Sequence, residues 1–265
     1  MDAMNNRIRT AFETAREARR PALMPYITAG DPAGPTLAEL IHAIAGAGAD
    51  IIEIGMPFSD PIADGPVIAS AMHRALQRGI TPELVLDGIA AARGSTDVGL
   101  VAMVSDSIVS HGGRTEFVAR ASQAGLDGLI VPDADTADLD DLDSACRTHG
   151  MTLSLLVAPS SSEERQREIV ARSSGFIYLL ARAGVTGERS EAPDIEGRVA
   201  SLRRMTDLPI AVGFGISSAM HVAAVGACAD GAIIGSALVR HLHETEASGG
   251  DVTEAARRFV TGLVG

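Results

Sequence analysis

The sequence has 265 residues, of which 46% are apolar and 28 are glycine, and its formal net charge is −12. The acidic balance argues against a nucleic-acid partner, and no apolar run approaches the roughly 18 residues that a membrane span requires. All 22 basic residues are arginine. The absence of lysine excludes Schiff-base catalysis and any phosphate site that depends on a lysine side chain.

The two cysteines, Cys146 and Cys228, lie in alanine-rich, helix-like surroundings without CxxC spacing. This pattern predicts two buried thiols in a reducing compartment. The N-terminal region interleaves Arg and Glu and has no apolar segment for export. We therefore expect a cytoplasmic protein with an amphipathic helix over residues 4–18.

Short apolar runs alternate with helical patterns along the rest of the chain. Regular βα alternation favours a parallel sheet, and eight units in a chain of this length favour an α/β fold closed as a (β/α)8 TIM barrel with an extra N-terminal helix. The alternative, an open doubly wound sheet, usually has a phosphate loop after its first strand, where this chain has Ala29-Gly30-Asp31-Pro32. We predict a single domain over residues 1–265, with strands at 23–28, 51–54, 98–104, 128–131, 153–157, 175–180, 210–213 and 231–234.

The second predicted strand, Ile51-Ile52-Glu53-Ile54, contains one carboxylate within an apolar run. A buried, unpaired carboxylate costs several kcal/mol, so Glu53 requires an explanation. One explanation is a structural Glu bound to an Arg or to backbone amides. The other is a general acid/base at the end of a barrel strand, where the active sites of such barrels lie.

Glycines follow the seventh and eighth predicted strands, in Gly213-Phe214-Gly215 and Gly235-Ser236. They expose backbone amides next to helix N-termini, which is a way to bind phosphate without lysine; alternatively, they only permit close packing. The seven histidines are scattered over predicted helices and loops, so we predict no metal site and mostly surface histidines. Acidic groups opposite a phosphate site favour proton-transfer chemistry on a small phosphorylated substrate.

Four segments of the sequence resemble the tryptophan synthase α subunit. They are P-Y-I-T-A-G-D-P (25–32), E-I-G-M-P-F-S-D-P-I-A-D-G-P (53–66), L-L-A-R-A-G-V-T-G (179–187) and V-G-F-G-I-S (212–217). The resemblance covers about residues 20–238, and its second segment is very specific. It implies retro-aldol cleavage of indole-3-glycerol phosphate to indole and glyceraldehyde 3-phosphate, as part of tryptophan biosynthesis.

The resemblance also implies roles for individual residues. Glu53 is the acid/base at the carbon and hydroxyl, Asp64 accepts the indole N–H, and Thr186 holds Asp64. No cofactor is expected in this chain, because pyridoxal phosphate belongs to the β subunit with which the family forms an α2β2 complex. The remaining implied residues are Tyr178, Phe214 and Ile234 for substrate, Gly187, Gly215, Gly235 and Ser236 for phosphate, and Pro57, Asp60 and Asp106 for the partner interface.

The sequence departs from the family pattern after the third predicted strand. The family usually has Tyr-x-Asn there, in a loop that contacts the β subunit, whereas this chain has Val104-Ser105-Asp106. A carboxylate in place of an amide removes a donor and adds a charge. The alternatives are therefore altered coupling to a β subunit, drift matched by the partner, or a stand-alone lyase. A non-catalytic regulatory subunit is a further alternative, against which Glu53 and Asp64 argue. Another phosphate-handling barrel enzyme is also an alternative, against which the loop after the second predicted strand argues.

Overall fold

The parallel β-sheet determines the architecture of the molecule. The computed structural model describes residues 6–60, 65–134, 139–181, 195–213 and 215–264. Within these ranges every strand pairs with its neighbours in parallel, in the order β5-β4-β3-β2-β1-β9-β8-β7-β6. The strands are β1 (Ala22–Thr28), β2 (Ile51–Gly55), β3 (Gly99–Met103), β4 (Gly128–Ile130), β5 (Thr152–Ser154), β6 (Leu156–Val157), β7 (Ile177–Leu180), β8 (Ile210–Gly213) and β9 (Gly231–Ile234).

Helices follow the strands and surround the sheet. Several begin with the side-chain caps that their sequences predict, such as the capping box in which Thr36 and Glu39 bond each other's backbone N–H groups. In the described part of the chain, no helix is long and apolar enough to cross a bilayer. The helices are α1 (Arg7–Glu17), α2 (Leu37–Gly46), α3 (Pro66–Gln77), α4 (Pro82–Arg93), α5 (Asp106–Ser110), α6 (Arg114–Ala124), α7 (Leu139–Thr148), α8 (Glu163–Arg172), α9 (Glu196–Arg203), α10 (Ala219–Gly226), α11 (Ser236–Ala247) and α12 (Val252–Thr261).

The two ends of the strand order, β5 and β6, are consecutive segments separated by Leu155. The chain itself therefore joins the ends of the sheet, and the predicted TIM barrel is confirmed. The prediction of one unbroken fifth strand is wrong. Side chains replace part of the ladder there: Leu153 N–H donates to Ser174 Oγ at 2.9 Å, and Phe176 N–H donates to Ser154 Oγ at 3.2 Å. For the same reason the sixth predicted strand begins at Ile177 instead of residue 175.

Helix α1 packs against the inward-facing residues at the N-terminal end of the barrel. Phe12 packs on Phe176, with ring centroids 5.7 Å apart, and both side chains are buried. Two inward-facing glycines make room for the helix. A Cβ at Gly128 would stand 2.9 Å from Ile8 Cδ1, and one at Gly231 would stand 3.0 Å from Phe12 Cε1. Apolar side chains of α1 therefore close the N-terminal end of the barrel beside these two glycines.

Three aspartates, Asp50, Asp127 and Asp230, immediately precede strands and connect neighbouring strands at the N-terminal end. Each carboxylate accepts the backbone N–H of a residue on or beside the adjacent strand, at 2.7, 2.9 and 2.8 Å respectively. Each also binds an arginine, so its charge is compensated. The donor N–H groups belong to Leu23, Leu100 and Ile210, and the arginines are Arg20, Arg93 and Arg203.

A buried ion pair fixes α3 to the loop after β1. The side chain of Asp31 is fully buried and binds Arg74 with both oxygens, at 2.8 and 2.7 Å. Arg78 donates to the same carboxylate at 2.8 Å and reaches Glu246 on α11 at 3.2 Å. This set of four residues, which we call the α3 clamp, ties α3 to two other elements. Because α3 begins at Pro66, directly after the loop that follows β2, the clamp fixes where that loop ends.

Candidate active site

Glu53 lies on the inner face of β2 and is fully buried. Ile51, two residues before Glu53, belongs to the cluster of side chains inside the barrel. The residues on either side of Glu53, Ile52 and Ile54, belong to the outer cluster between strands and helices. Strand alternation therefore points Glu53 into the barrel. Tyr26 on β1 and Val101 on β3 are its register partners. The carboxylate is thus held on a rigid strand, inside the barrel, two residues before the strand ends.

The chain has two tyrosines, and both are buried side chains of the inner cluster. Each ring lies over a glycine at the C-terminal end of the next strand. A Cβ added to Gly55 would stand 1.9 Å from Tyr26 Oη, and one added to Gly213 would stand 2.5 Å from Tyr178 Oη. Both positions therefore require glycine because a tyrosine ring lies too close for a Cβ, and not because of the backbone conformation. The predicted pocket residue Tyr178 lies inside the barrel, on the same face as Glu53.

The glycines after β8 and β9 lie at the C-terminal end of the barrel. Gly215 has a φ of +74°, which favours glycine. Gly235 is the N-cap of α11 and provides no side-chain hydrogen bond to the helix, so the first backbone N–H groups of α11, including that of Ser236, keep their donor capacity for an anion. The N-terminus of α10 differs, because Ser218 Oγ accepts the N–H of His221 at 3.3 Å. The geometry therefore favours α11 as the phosphate-binding terminus.

The structure corrects one predicted pocket residue. Ile234 is buried in the outer cluster, against the surrounding helices, whereas Ile233 belongs to the inner cluster with both tyrosines. Side chains alternate along a strand, so only one of the two isoleucines faces the barrel interior. Ile233 therefore replaces Ile234 as the side chain on the pocket face. Asp64, Thr186, Gly187 and Phe214 lie outside the described residues.

The loops after β3 and β4 are tied together by Asp133. Its carboxylate accepts the Ser105 hydroxyl at 2.6 Å and the backbone N–H of Asp106 at 2.8 Å. Asp106 begins the short helix α5, which the sequence did not predict, and Arg114 donates to its carboxylate at 2.9 Å. The Asp106 carboxylate, which distinguishes this loop from the family pattern, is therefore neutralised by Arg114 of the same chain. Pro57 is buried and Asp60 is exposed on the chain that leaves β2.

One prediction about an individual side chain is wrong, and it concerns Cys228. Most histidines were expected at the surface, and His221 is an exception at 3% exposed; its Nδ1 lies 3.4 Å from the backbone N and the hydroxyl of Ser217. Cys228 is partly exposed, whereas Cys146 is buried as predicted. Burial raises the pKa of the Cys146 thiol to about 12. In the ranges that the structure describes, no three His, Cys, Asp or Glu side chains are grouped so that they could hold a metal ion.

Sequence reasoning also missed residues around the site. Tyr26 was not singled out, because all seven residues of β1 are buried and the strand shows no alternation that marks its inner face. The role of Arg74 and Arg78 in binding Asp31 was missed too, although their four-residue spacing on one helix predicts that they share a face. The role of Asp133 between the loops after β3 and β4 was missed as well.

A parallel barrel with a buried carboxylate on one strand, and an uncapped helix N-terminus after another, belongs to the class of α/β-barrel enzymes that act at the C-terminal ends of their strands. The family model described as "Tryptophan synthase alpha chain" matches residues 12–262. The tryptophan synthase alpha chain of Halorhodospira halophila is 43% identical over 97% of this chain and 95% of its own length. That of Methanosarcina mazei is 44% identical, over 97% and 94%.

Solved structures give the same result. A crystal structure of tryptophan synthase subunit alpha from Legionella pneumophila superposes with a TM-score of 0.89 and 32% identity, over 97% of both chains. A structure of Mycobacterium tuberculosis tryptophan synthase matches with a TM-score of 0.86 and 34% identity, over 97% of this chain and 96% of that one. The chain therefore belongs to the tryptophan synthase alpha chain family, whose members are lyases of tryptophan biosynthesis.

Proposed function

We propose that this chain cleaves indole-3-glycerol phosphate to indole and glyceraldehyde 3-phosphate, as the α subunit of a tryptophan synthase. The observation that supports this most is Glu53, a carboxylate that is 0% exposed and faces the inside of the barrel on the strand where the family places its acid/base. A buried carboxylate has its charged form destabilised, which suits a group that must both give and take a proton near neutral pH.

The reaction breaks the carbon–carbon bond between C3 of the indole ring and the glycerol side chain. C3 must gain a proton, the adjacent side-chain hydroxyl must lose one to become the aldehyde, and the indole N–H must be polarised meanwhile. In our proposal Glu53 protonates C3 and then accepts the hydroxyl proton, so no net proton is consumed. Asp64 accepts the hydrogen bond of the indole N–H, and Thr186 holds Asp64 in place.

The substrate's phosphate is held by backbone amides and one hydroxyl in this proposal. The unfilled N-terminus of α11 supports Gly235 and Ser236 as two of these groups, and Gly215 and Gly187 complete the set. Tyr178, Phe214 and Ile233 surround the rest of the substrate. The phosphate end and Glu53 then lie on separate strands of one barrel, which fixes the scissile bond between them.

The proposed mechanism uses neither a Schiff base nor a metal ion. A Schiff base cannot form because the sequence contains no lysine. None is needed, because the two carboxylates perform the proton movements that the mechanism requires. We propose that the chain binds no cofactor of its own and that pyridoxal phosphate belongs to the β subunit.

The proposed partner is a tryptophan synthase β subunit, in an α2β2 complex. The surface for it includes Asp60 and Asp106, beside the barrel end where the substrate enters, and the buried Pro57 positions the segment that carries Asp60. The ion pair between Asp106 and Arg114 and the hydrogen bonds from Ser105 and Asp106 to Asp133 give the loop after β3 internal partners. This internal order favours a second candidate, a lyase that works without strong stimulation by a partner.

The test is the rate of indole release from indole-3-glycerol phosphate by the purified chain, first alone and then with a β subunit. A slow basal rate that rises by orders of magnitude supports the α-subunit assignment. A fast rate that the β subunit does not change supports the stand-alone lyase. If neither mixture releases indole although the chain stimulates the β reaction, the chain is a regulatory subunit and the proposed activity is wrong.

A further inference from the structure

Helix α3 lies at the C-terminal end of the barrel. Three of its side chains, Ile68, Ala71 and Met72, are buried in the inner cluster with both tyrosines. Apart from the strands and Phe176 beside β7, the buried members of this cluster come from α1, α3 and α11. Helix α1 closes the N-terminal end, whereas α3 and α11 follow the C-terminal ends of β2 and β9. The apolar face of α3 therefore packs on the barrel at the end where such enzymes act.

Glu53 requires a cover at this end. It is 0% exposed, although only Ile54 and Gly55 follow it on β2. The C-terminal ends of barrel strands open toward the loops and the substrate, so elements that follow the strands must keep water from the carboxylate. Helix α3 packs against β1, and β1 pairs in register with β2 at Glu53. The buried face of α3 is thus placed to form part of this cover.

The α3 clamp fixes this helix to the loop after β1. Asp31 accepts two hydrogen bonds from Arg74, at 2.8 and 2.7 Å, and one from Arg78 at 2.8 Å. Arg78 also donates to the carbonyl of Gly30 at 3.0 Å. The loop lies close against the residue two positions after the clamp, because a Cβ added to Gly30 would stand 2.3 Å from Ile80 Cγ1. Helix α3 is therefore bound to the loop by several contacts of fixed length.

The ion pair and the apolar face belong to one short helix, so a movement of one displaces the other. Arg74 is two residues beyond Met72 and three beyond Ala71. Apolar contacts are not directional and tolerate sliding, whereas the paired hydrogen bonds of a guanidinium and a carboxylate have a defined direction. A buried ion pair adds little stability beyond what apolar packing would provide. Orientation of α3 is therefore the contribution that the pair with Asp31 makes at this position.

We propose that Asp31 is a positioning residue for the active site. Through Arg74 and Arg78 it holds α3 over the C-terminal end of the barrel, where the apolar face of the helix covers Glu53. The catalytic part of this inference rests on the proposed lyase function, whereas the cover itself does not. The two parts can therefore be tested separately.

The tyrosines report the cover, because the chain contains no tryptophan and both rings are buried over glycines at the C-terminal ends of strands. Acrylamide quenches the emission of a tyrosine that it can reach. In Asp31→Asn we expect the quenching constant to rise at least about two-fold, since a displaced helix opens the site to solvent, with an unchanged far-ultraviolet circular dichroism spectrum.

Asp127→Asn is the matched control for this measurement. Asp127 is likewise a buried carboxylate that binds an arginine, Arg93, and accepts the backbone N–H of Leu100, but it lies at the N-terminal end of the barrel. The control therefore loses the same kind of interaction without releasing α3. Its tyrosine emission should be quenched as in the wild-type chain.

Indole release with a saturating β subunit, measured well below the melting temperatures, tests the catalytic part. The first residue of α3, Pro66, comes two residues after Asp64, so a shift of α3 misplaces the proposed carboxylate as well as the cover. In Asp31→Asn we expect kcat to fall by at least about 10-fold. KM should change little, because the N-terminus of α11, where the phosphate is proposed to bind, does not belong to the clamp. Asp127→Asn should keep the wild-type kcat.

Arg74→Lys provides a second, milder variant. It keeps the charge next to Asp31 but loses the pair of parallel hydrogen bonds, so both its quenching constant and its kcat should lie between those of the wild-type chain and Asp31→Asn. If Asp31→Asn does not fold, Arg74→Lys takes its place in each comparison with Asp127→Asn.

Quenching in the clamp variants that equals quenching in Asp127→Asn overturns the cover. An equal loss of kcat in the clamp variants and in Asp127→Asn gives Asp31 a structural role only and overturns the positioning. Failure of the wild-type chain to release indole would instead contradict the proposed function, and the quenching comparison would still decide the cover.

Discussion

The α3 clamp gives a prediction of definite size. Asp31→Asn keeps the shape of the side chain but removes the charge that holds Arg74 and Arg78. Breaking a buried ion pair by removing one partner costs about 3–5 kcal/mol. The two arginines are 24% and 33% exposed, so water stabilises them in the variant and lowers the cost to about 2–3 kcal/mol.

For a chain of this length, about 2–3 kcal/mol corresponds to a decrease in melting temperature of roughly 4–6 °C, at about 2 °C per kcal/mol. Calorimetry or circular dichroism at low protein concentration measures it. Glu163→Gln is the matched control, because its ion pair with Arg167 is exposed on both sides and is worth less than about 0.5 kcal/mol. If Asp31→Asn melts within 1 °C of that control, given the conversion of about 2 °C per kcal/mol, then the clamp does not stabilise the fold.

Three further predictions use the same geometry. Gly55→Ala places a Cβ 1.9 Å from Tyr26 Oη, so the buried ring must shift inside the barrel that holds Glu53, and indole release should fall by at least about 10-fold. Gly197→Ala, where no atom lies within 4 Å, should keep full activity. At pH 8 an alkylating reagent should label Cys228 and not Cys146. With a pKa of about 12, roughly one Cys146 thiol in ten thousand is ionised at that pH. Mass spectrometry of the native chain measures the labelling, and equal labelling of the two cysteines would contradict the burial of Cys146. Asp106→Asn removes the ion pair with Arg114 and restores an amide, so stimulation of indole release by a β subunit should increase; an unchanged ratio would exclude Asp106 from the coupling.

The barrel could be predicted because its determinants are local in sequence. Runs of Ile, Val and Leu mark strands that are buried on both faces, and Gly, Pro and capping residues mark where helices begin. Most predicted strands and helices therefore agree with the structure within two residues. The break at Leu155 was missed because it depends on hydrogen bonds that the Ser174 and Ser154 hydroxyls accept from the backbone N–H groups of Leu153 and Phe176, and such pairings are not local.

The site was predicted less completely, for a related reason. Glu53 is conspicuous because a carboxylate interrupts an apolar run, whereas Tyr26 and Ile233 have no such contrast with their buried neighbours. The choice between Ile233 and Ile234 depends on which face of β9 is turned inward, and two successive isoleucines do not show it. The register between β1 and β2, which brings Tyr26 beside Glu53, is likewise visible only in the folded chain.

The central claim is that Glu53 performs the proton transfers of indole-3-glycerol phosphate cleavage. The most direct test compares indole release by the wild-type chain and by Glu53→Gln, each with a saturating β subunit, and also measures binding of the substrate to the variant. The account predicts that Glu53→Gln binds substrate with nearly unchanged affinity, melts near the wild-type temperature and releases no measurable indole. Turnover by Glu53→Gln within a few-fold of the wild-type rate would contradict it.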